Sequence, residues 1–290
     1  MVWQHLLSQW IRSTAQQKAQ EALFRAMEGQ QRGPKQESGP AATCDDAPSV
    51  CHLGLVFALG IEAGGFEDLL EGVVRIRAGD FAILEGGIQG KRIAVALSGA
   101  GAAAAVGATE SLIAGHRPQR IVSAGFAGAL TPQLKRFDVI LADRVVSASG
   151  GELPVDVSAV SGDMRSKVHV GPLLTAERVA RTPAEKRSLG ERFGALAVDL
   201  ETFAVAEHCR RMSLPFLAAR AISDGVDDEL PHDVEKLLAQ RSAASQFGAA
   251  LGAVLKRPSS ALDLYQLKEN ALVASDRLAK FLAELCARLP

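Results

Sequence analysis

The 290-residue sequence predicts a single α/β domain, doubly wound about a mixed central sheet, with extra helices at its N- and C-terminal ends. Three observations carry that prediction. Apolar strand-like runs alternate with helical runs over residues 53 to 257. The first run, LGLVFALG at residues 53 to 60, is continuously apolar, as a strand covered on both faces must be. Acidic residues follow several of these runs, where parallel strands open onto a ligand crevice.

Composition narrows the function. At 48% hydrophobic and 22% charged, the chain has ample material for a core. A net charge of -1 gives no electrostatic basis for a nucleic-acid or anionic-membrane partner, and Tyr265 is the only tyrosine. Cys44, Cys51, Cys209 and Cys286 form no CxxC and match no zinc spacing, so they read as free thiols of a reducing compartment. No metal or cofactor is expected. No run reaches the roughly 18 apolar residues of a membrane span. The start lacks a basic segment followed by an apolar one, so a cytoplasmic location is expected.

In chain order, Trp3, Leu6, Leu7, Trp10 and Ile11 recur at helical spacing, and residues 1 to 28 read as an amphipathic helix. Residues 29 to 50 are polar and rich in Gly and Pro, as a flexible linker would be. The domain proper is expected over residues 51 to 257. After the first strand, a helix is predicted near residues 62 to 70, with strands at 73–76, 81–88 and 92–97. Ser98-Gly99-Ala100-Gly101 then leads into an alanine-rich helix over 102–114. That GxGxxA string resembles a dinucleotide fingerprint, but the next strand, residues 120–123, ends in Ala124-Gly125-Phe126-Ala127-Gly128 and not in the acid that motif needs. Further strands are expected at 137–146 and 168–170, and a helix at 182–193.

Residues 196 to 228 organise the rest. They read as strand, helix, strand, with Asp199 and Glu201 after the first strand and Ser223-Asp224-Gly225 after the second. Pro215 separates the helix from the second strand. A long helix over 234–255 and a final amphipathic helix within the 258–290 extension complete the prediction.

Glu62, Glu201 and Asp224 thus each follow an apolar strand. Taken singly, each could be a helix-start or turn acid. Together they suggest one site. The six histidines are scattered, and neither a GxSxG elbow nor a GxxxxGK[ST] loop is present. Carboxylates without metal or histidine suit glycosidic-bond cleavage: one acid protonates the leaving group, another activates water, and anions stabilise the cationic sugar.

These residues also carry a family resemblance. VDLETFAVAEHCRRMSLPFLAARAISDGVDD, from Val198, resembles the nucleoside phosphorylase superfamily signature V-[DE]-M-E-x-x-A-x-A, then P-F, then R-x-I-S-D. It is most similar to that of the 5′-methylthioadenosine/S-adenosylhomocysteine nucleosidases. GLVFALGIEA and SGAGAAAAVGATESLIAGHRPQRIVSAGFAGAL are similar to that family's first strand and glycine-rich blocks, in the same order. The resemblance implies a purine N-glycosidase releasing adenine from an adenosine derivative, without cofactor, as a homodimer. It implies Glu62 as the base for the attacking water and Asp224 as the donor to purine N7, oriented by Ser223. Glu201 would hold the ribose hydroxyls, with Asp199 beside it and Leu200 on the sugar. Gly99 and Ala127 would approach the ligand, and Arg220 would sit near the water or phosphate.

The sequence departs from that pattern at two places. Phe126 stands where the family has the serine of T-G-S-A-G-G, and VHVGPLLT replaces S-G-D-x-F, leaving Leu173 or Leu174 to face the base. Some hopanoid-linked phosphorylases of the superfamily carry a similar apolar residue at that serine position. Two alternatives therefore stand: a phosphate-dependent phosphorylase acting on a bulky or apolar adenosine derivative, and a nucleoside-binding module without activity.

Overall fold

The computed structural model describes residues 51–78, 81–230 and 260–289. The expected helix at 1–28, the linker at 29–50 and the helix at 234–255 lie outside these.

The first strand, β1 (Leu53–Phe57), is buried throughout. Leu53, Leu55 and Phe57 join one apolar cluster while Val56 joins another, so alternate side chains feed opposite faces of the sheet. The helix α1 (Gly60–Glu67) follows directly. An antiparallel set comes next, β2 (Glu71–Ala78), β3 (Phe81–Ile88) and β4 (Lys91–Leu97). The alanine-rich helix α2 (Ala102–His116) lies against β1, where any side chain at Gly54 would meet Leu112 at 2.3 Å.

The second half contains β5 (Ile121–Ala129), β6 (Val139–Ser147), β7 (Glu152–Pro154), the short α3 (Gly162–Arg165) and β8 (His169–Thr175). Then come α4 (Pro183–Phe193), β9 (Ala197–Asp199), α5 (Thr202–Arg211) and β10 (Phe216–Asp224). The α4 boundaries are written locally: Thr182 and Glu185 form a capping box, Pro183 opens the first turn, and Gly194 closes it in the left-handed region.

The sheet is mixed, as expected, and part of it closes on itself. β5 pairs with β10, β10 with β6, β6 with β8, β8 with β9, and β9 returns to β5. β1, β4, β3 and β2 extend this ring as an open wing from β5. Ring closure explains why β5 runs on to Ala129 where the sequence predicts a strand only over residues 120–123. Gly125, Phe126, Ala127 and Gly128 pair with β10, and Gly128 and Ala129 with β9.

The last helix, α6 (Ser260–Arg288), was expected as an extension. Ala274, Leu278, Leu282 and Leu285 instead join the main core beside Phe57 and Phe66. Burial of each such leucine is worth about 1.5–3 kcal/mol. Ser275 also bonds α1, accepting from Gly65 N at 2.9 Å and donating to Glu62 O at 3.1 Å. Helices α1 and α6 thus cover one face, and α2 and α5 the other.

Candidate active site

The ends of β1, β9 and β10 bring the three acids around the second half of β5. Each is placed differently. Glu62 sits in the first turn of α1, where its Oε2 accepts from Leu59 N at 2.8 Å. Its Oε1 accepts from Phe126 N at 2.9 Å, which ties β5 to this carboxylate. Burial raises the proton affinity of Glu62 above that of an ordinary glutamate, outweighing those two donors and the nearby Arg220 charge.

Glu201 caps the start of α5 and accepts from Gly101 N at 2.7 Å. Gly99 and Gly101 take φ of +82° and +104°, so the glycine string serves to turn this N–H toward a carboxylate. Burial first, and the Asp199 charge second, push the Glu201 pKa up to about 7.

Glu62, Glu201, Ser98, Phe126 and Arg220 line a hollow of about 10 Å³. That is room for about one water. Arg220 is otherwise committed: Nε donates to Asp199 at 3.0 Å, Nη2 to Ser123 at 2.8 Å and Thr202 at 2.6 Å, and Nη1 to Ala219 O at 3.0 Å. Asp199 also accepts from Thr175 at 2.7 Å, so its carboxylate faces this buried network and holds the strand ends together.

Asp224 lies at the end of β10, outside the lining of that hollow. Oδ1 accepts from Ser223 Oγ at 2.5 Å, and Oδ2 accepts from Lys186 Nζ at 2.5 Å. Lys186 comes from α4 and is fully buried. Gly128 backs the carboxylate so closely that a Cβ there would stand 3.0 Å from Oδ2. Gly125 does the same for Glu62, at 2.9 Å from Oε1.

Lys186 was missed at the sequence level. The one available signal was its place in α4, three residues before Leu189 and seven before Phe193, on the apolar face of the helix. Leu174 and Leu173, expected beside a base, are fully buried and present no surface to a cleft. Strand β8 lies between β6 and β9, and Leu174 packs with Val146, Ala195 and Val198. Leu200, Phe126 and Ser223 are partly exposed, and Ala127 is buried with its carbonyl 3.3 Å from Ser223 Oγ.

Comparison with known proteins identifies the family and the fold. The model of the phosphorylase superfamily matches residues 52–256. The chain belongs to that superfamily. A 5′-methylthioadenosine/S-adenosylhomocysteine nucleosidase of Haemophilus influenzae (strain 86-028NP) is 27% identical over 222 residues, covering 68% of this chain and 96% of the relative. One from Actinobacillus succinogenes is 27% identical over 215 residues, covering 64% and 91%. Among solved structures, the Helicobacter pylori nucleosidase of the same name, complexed with a substituted pyrrolidinol, superposes with TM-score 0.64 at 20% identity, covering 83% of this chain and 100% of that one. The futalosine hydrolase of H. pylori gives TM-score 0.64 at 20% identity, covering 83% and 99%.

Proposed function

We propose that this chain is an N-glycosidase that hydrolyses the N-ribosidic bond of an adenosine derivative of the methylthioadenosine/S-adenosylhomocysteine type and releases adenine. The observation that carries this reading is the pairing of a buried, proton-avid Glu62 with Glu201 around a hollow of one water's size. Glu62 takes the proton of that water as its oxygen attacks ribose C1′. Glu201 accepts from the ribose hydroxyls and, with Glu62, stabilises the positive charge that builds on the sugar. As the C1′–N9 bond breaks, its electrons pass into the purine and N7 takes a proton from Asp224.

Water fits as the nucleophile better than phosphate. The Arg220 guanidinium is bonded to Asp199, Ser123, Thr202 and Ala219, and two carboxylates would repel an arriving phosphate. The names of the curated relatives support the same reaction class.

The test is adenine release from methylthioadenosine, S-adenosylhomocysteine and adenosine, each with and without phosphate. Release without phosphate is the expected result. A strict phosphate requirement would move the chain to the phosphorylases, and binding without turnover would make it a nucleoside-binding module.

A further inference from the structure

Resting on that reading, we propose that Lys186 is the positioning residue behind Asp224: it holds the carboxylate and supplies the proton that Asp224 passes to the departing purine. The Lys186 ammonium has three N–H groups and three acceptors, Asp224 Oδ2 at 2.5 Å and the carbonyls of Gly225 and Asp228 at 2.8 Å each. Both partners are withdrawn from water, with Lys186 0% exposed and Asp224 6%. If the proton facing Oδ2 moves to Asp224, the remaining two N–H groups still satisfy the two carbonyls. The amine lone pair then accepts from the new carboxyl O–H. The transfer therefore strands no buried donor or acceptor, which would be the main cost of such a step.

A second pair in the same sheet shows what a purely structural arrangement looks like. Arg220 and Asp199 are also buried partners, but arginine stays charged and cannot give up a proton. Lysine is the cation that deprotonates when buried. Position separates the pairs too: Asp224 ends β10 and is held by Ser223 on Oδ1, while Asp199 is enclosed by Arg220, Thr175 and Thr202.

The protons balance. The Nζ–H bond breaks as the Asp224 O–H bond forms. The carboxyl O–H then turns from Nζ to the purine, and Asp224 passes that proton to N7 while C1′–N9 breaks and its electron pair enters the purine. Asp224 returns to carboxylate, Lys186 is left as a neutral amine, and solvent recharges it after release. The charged groups around the pair are otherwise engaged. Asp228 is paired with Arg136 and accepts from Gly225 N, while Arg187 of α4 pairs with Asp227 at the surface. From β5, Ala127 and Gly128 face Ser223 and Asp224 with no titratable side chain.

The experiment measures kcat/KM for adenine release from methylthioadenosine across about pH 5.5 to 8.5, with thermal melts to verify folding. In Lys186→Met, the proton for the departing purine has to come from solvent, where it is more available at low pH. This variant's activity should approach wild type at the acid end and fall at least about 100-fold at the alkaline end, the scale of a lost general acid. Lys186→Gln replaces it if the Met variant does not fold. Lys186→Arg keeps the charge but not the transferable proton, and should be impaired at every pH. A profile parallel to wild type for the neutral variants, or full rescue by Arg, would overturn this inference alone. A folded wild type that releases no adenine would overturn the glycosidase reading itself, and this inference with it.

Discussion

The two ends of the proposed site use the same functional group in opposite surroundings. At the nucleophile end, Glu62 and Glu201 accept from backbone N–H groups of Leu59, Phe126 and Gly101, and burial makes both hold protons more strongly. At the leaving-group end, Asp224 is clamped between a lysine ammonium and a serine hydroxyl. A carboxylate surrounded by neutral donors in a dry site is a proton acceptor in waiting. One coupled to a lysine is part of a proton-carrying pair. Residue type does not assign acid and base here; the neighbours do.

The sharpest way to break that contrast is to remove the base. Glu62→Gln cannot take a proton, and its single carbonyl oxygen keeps an acceptor for only one of the Leu59 and Phe126 N–H groups. It should cut kcat by about 10²–10⁴-fold with KM little changed. A loss confined to KM would mean that Glu62 only binds.

A smaller effect concerns stability. Glu201 holds its proton to about pH 7 in the folded chain, against an ordinary value of 4.5. The folded state thus binds the extra proton between those values, and stability falls as pH rises through them. Glu201→Gln cannot ionise. It should melt higher than wild type above pH 7 by an increment worth at most about 3 kcal/mol, and the gain should fade toward pH 4.5. An increment that does not vary with pH would place the effect in packing. The same variant should bind substrate more weakly, since Glu201 is assigned to the ribose hydroxyls.

The smallest expected effects separate the two ends most cleanly. Gly125→Ala and Gly128→Ala would bring a methyl to 2.9 Å of Glu62 Oε1 and 3.0 Å of Asp224 Oδ2. Each should displace its own carboxylate and lower kcat by about tenfold, roughly 1.4 kcal/mol. With Gly125→Ala the defect should follow water activation. With Gly128→Ala it should ease for a riboside whose leaving group needs no proton. Equal behaviour on both substrates would erase the proposed division of labour.

Much of this was written in local sequence. The continuous apolar run at Leu53–Phe57, the capping box of Thr182 and Glu185, and the acids after apolar strands all declare themselves within a few residues. What stayed hidden depends on partners far along the chain. Nothing near Gly125 says that it will pair with Arg220 of β10, so the strand is expected to stop at Ser123. Leu174 looked available for a ligand because its cover, Val198 and Val146, comes from other strands. Lys186 sits in a stretch of charged residues and reads as solvated until the Asp224 loop folds over it.

The bond from Ser275 to the backbone of Glu62 spans 213 residues. During synthesis, the helix that carries Glu62 leaves the ribosome well before α6, its final support, has been made. Its apolar face, with Ala63 and Phe66, waits for Leu278, Leu282 and Leu285 of α6. A ribosome-bound chain lacking α6 would therefore expose that face, and the chaperone demand it creates should end as the last helix docks.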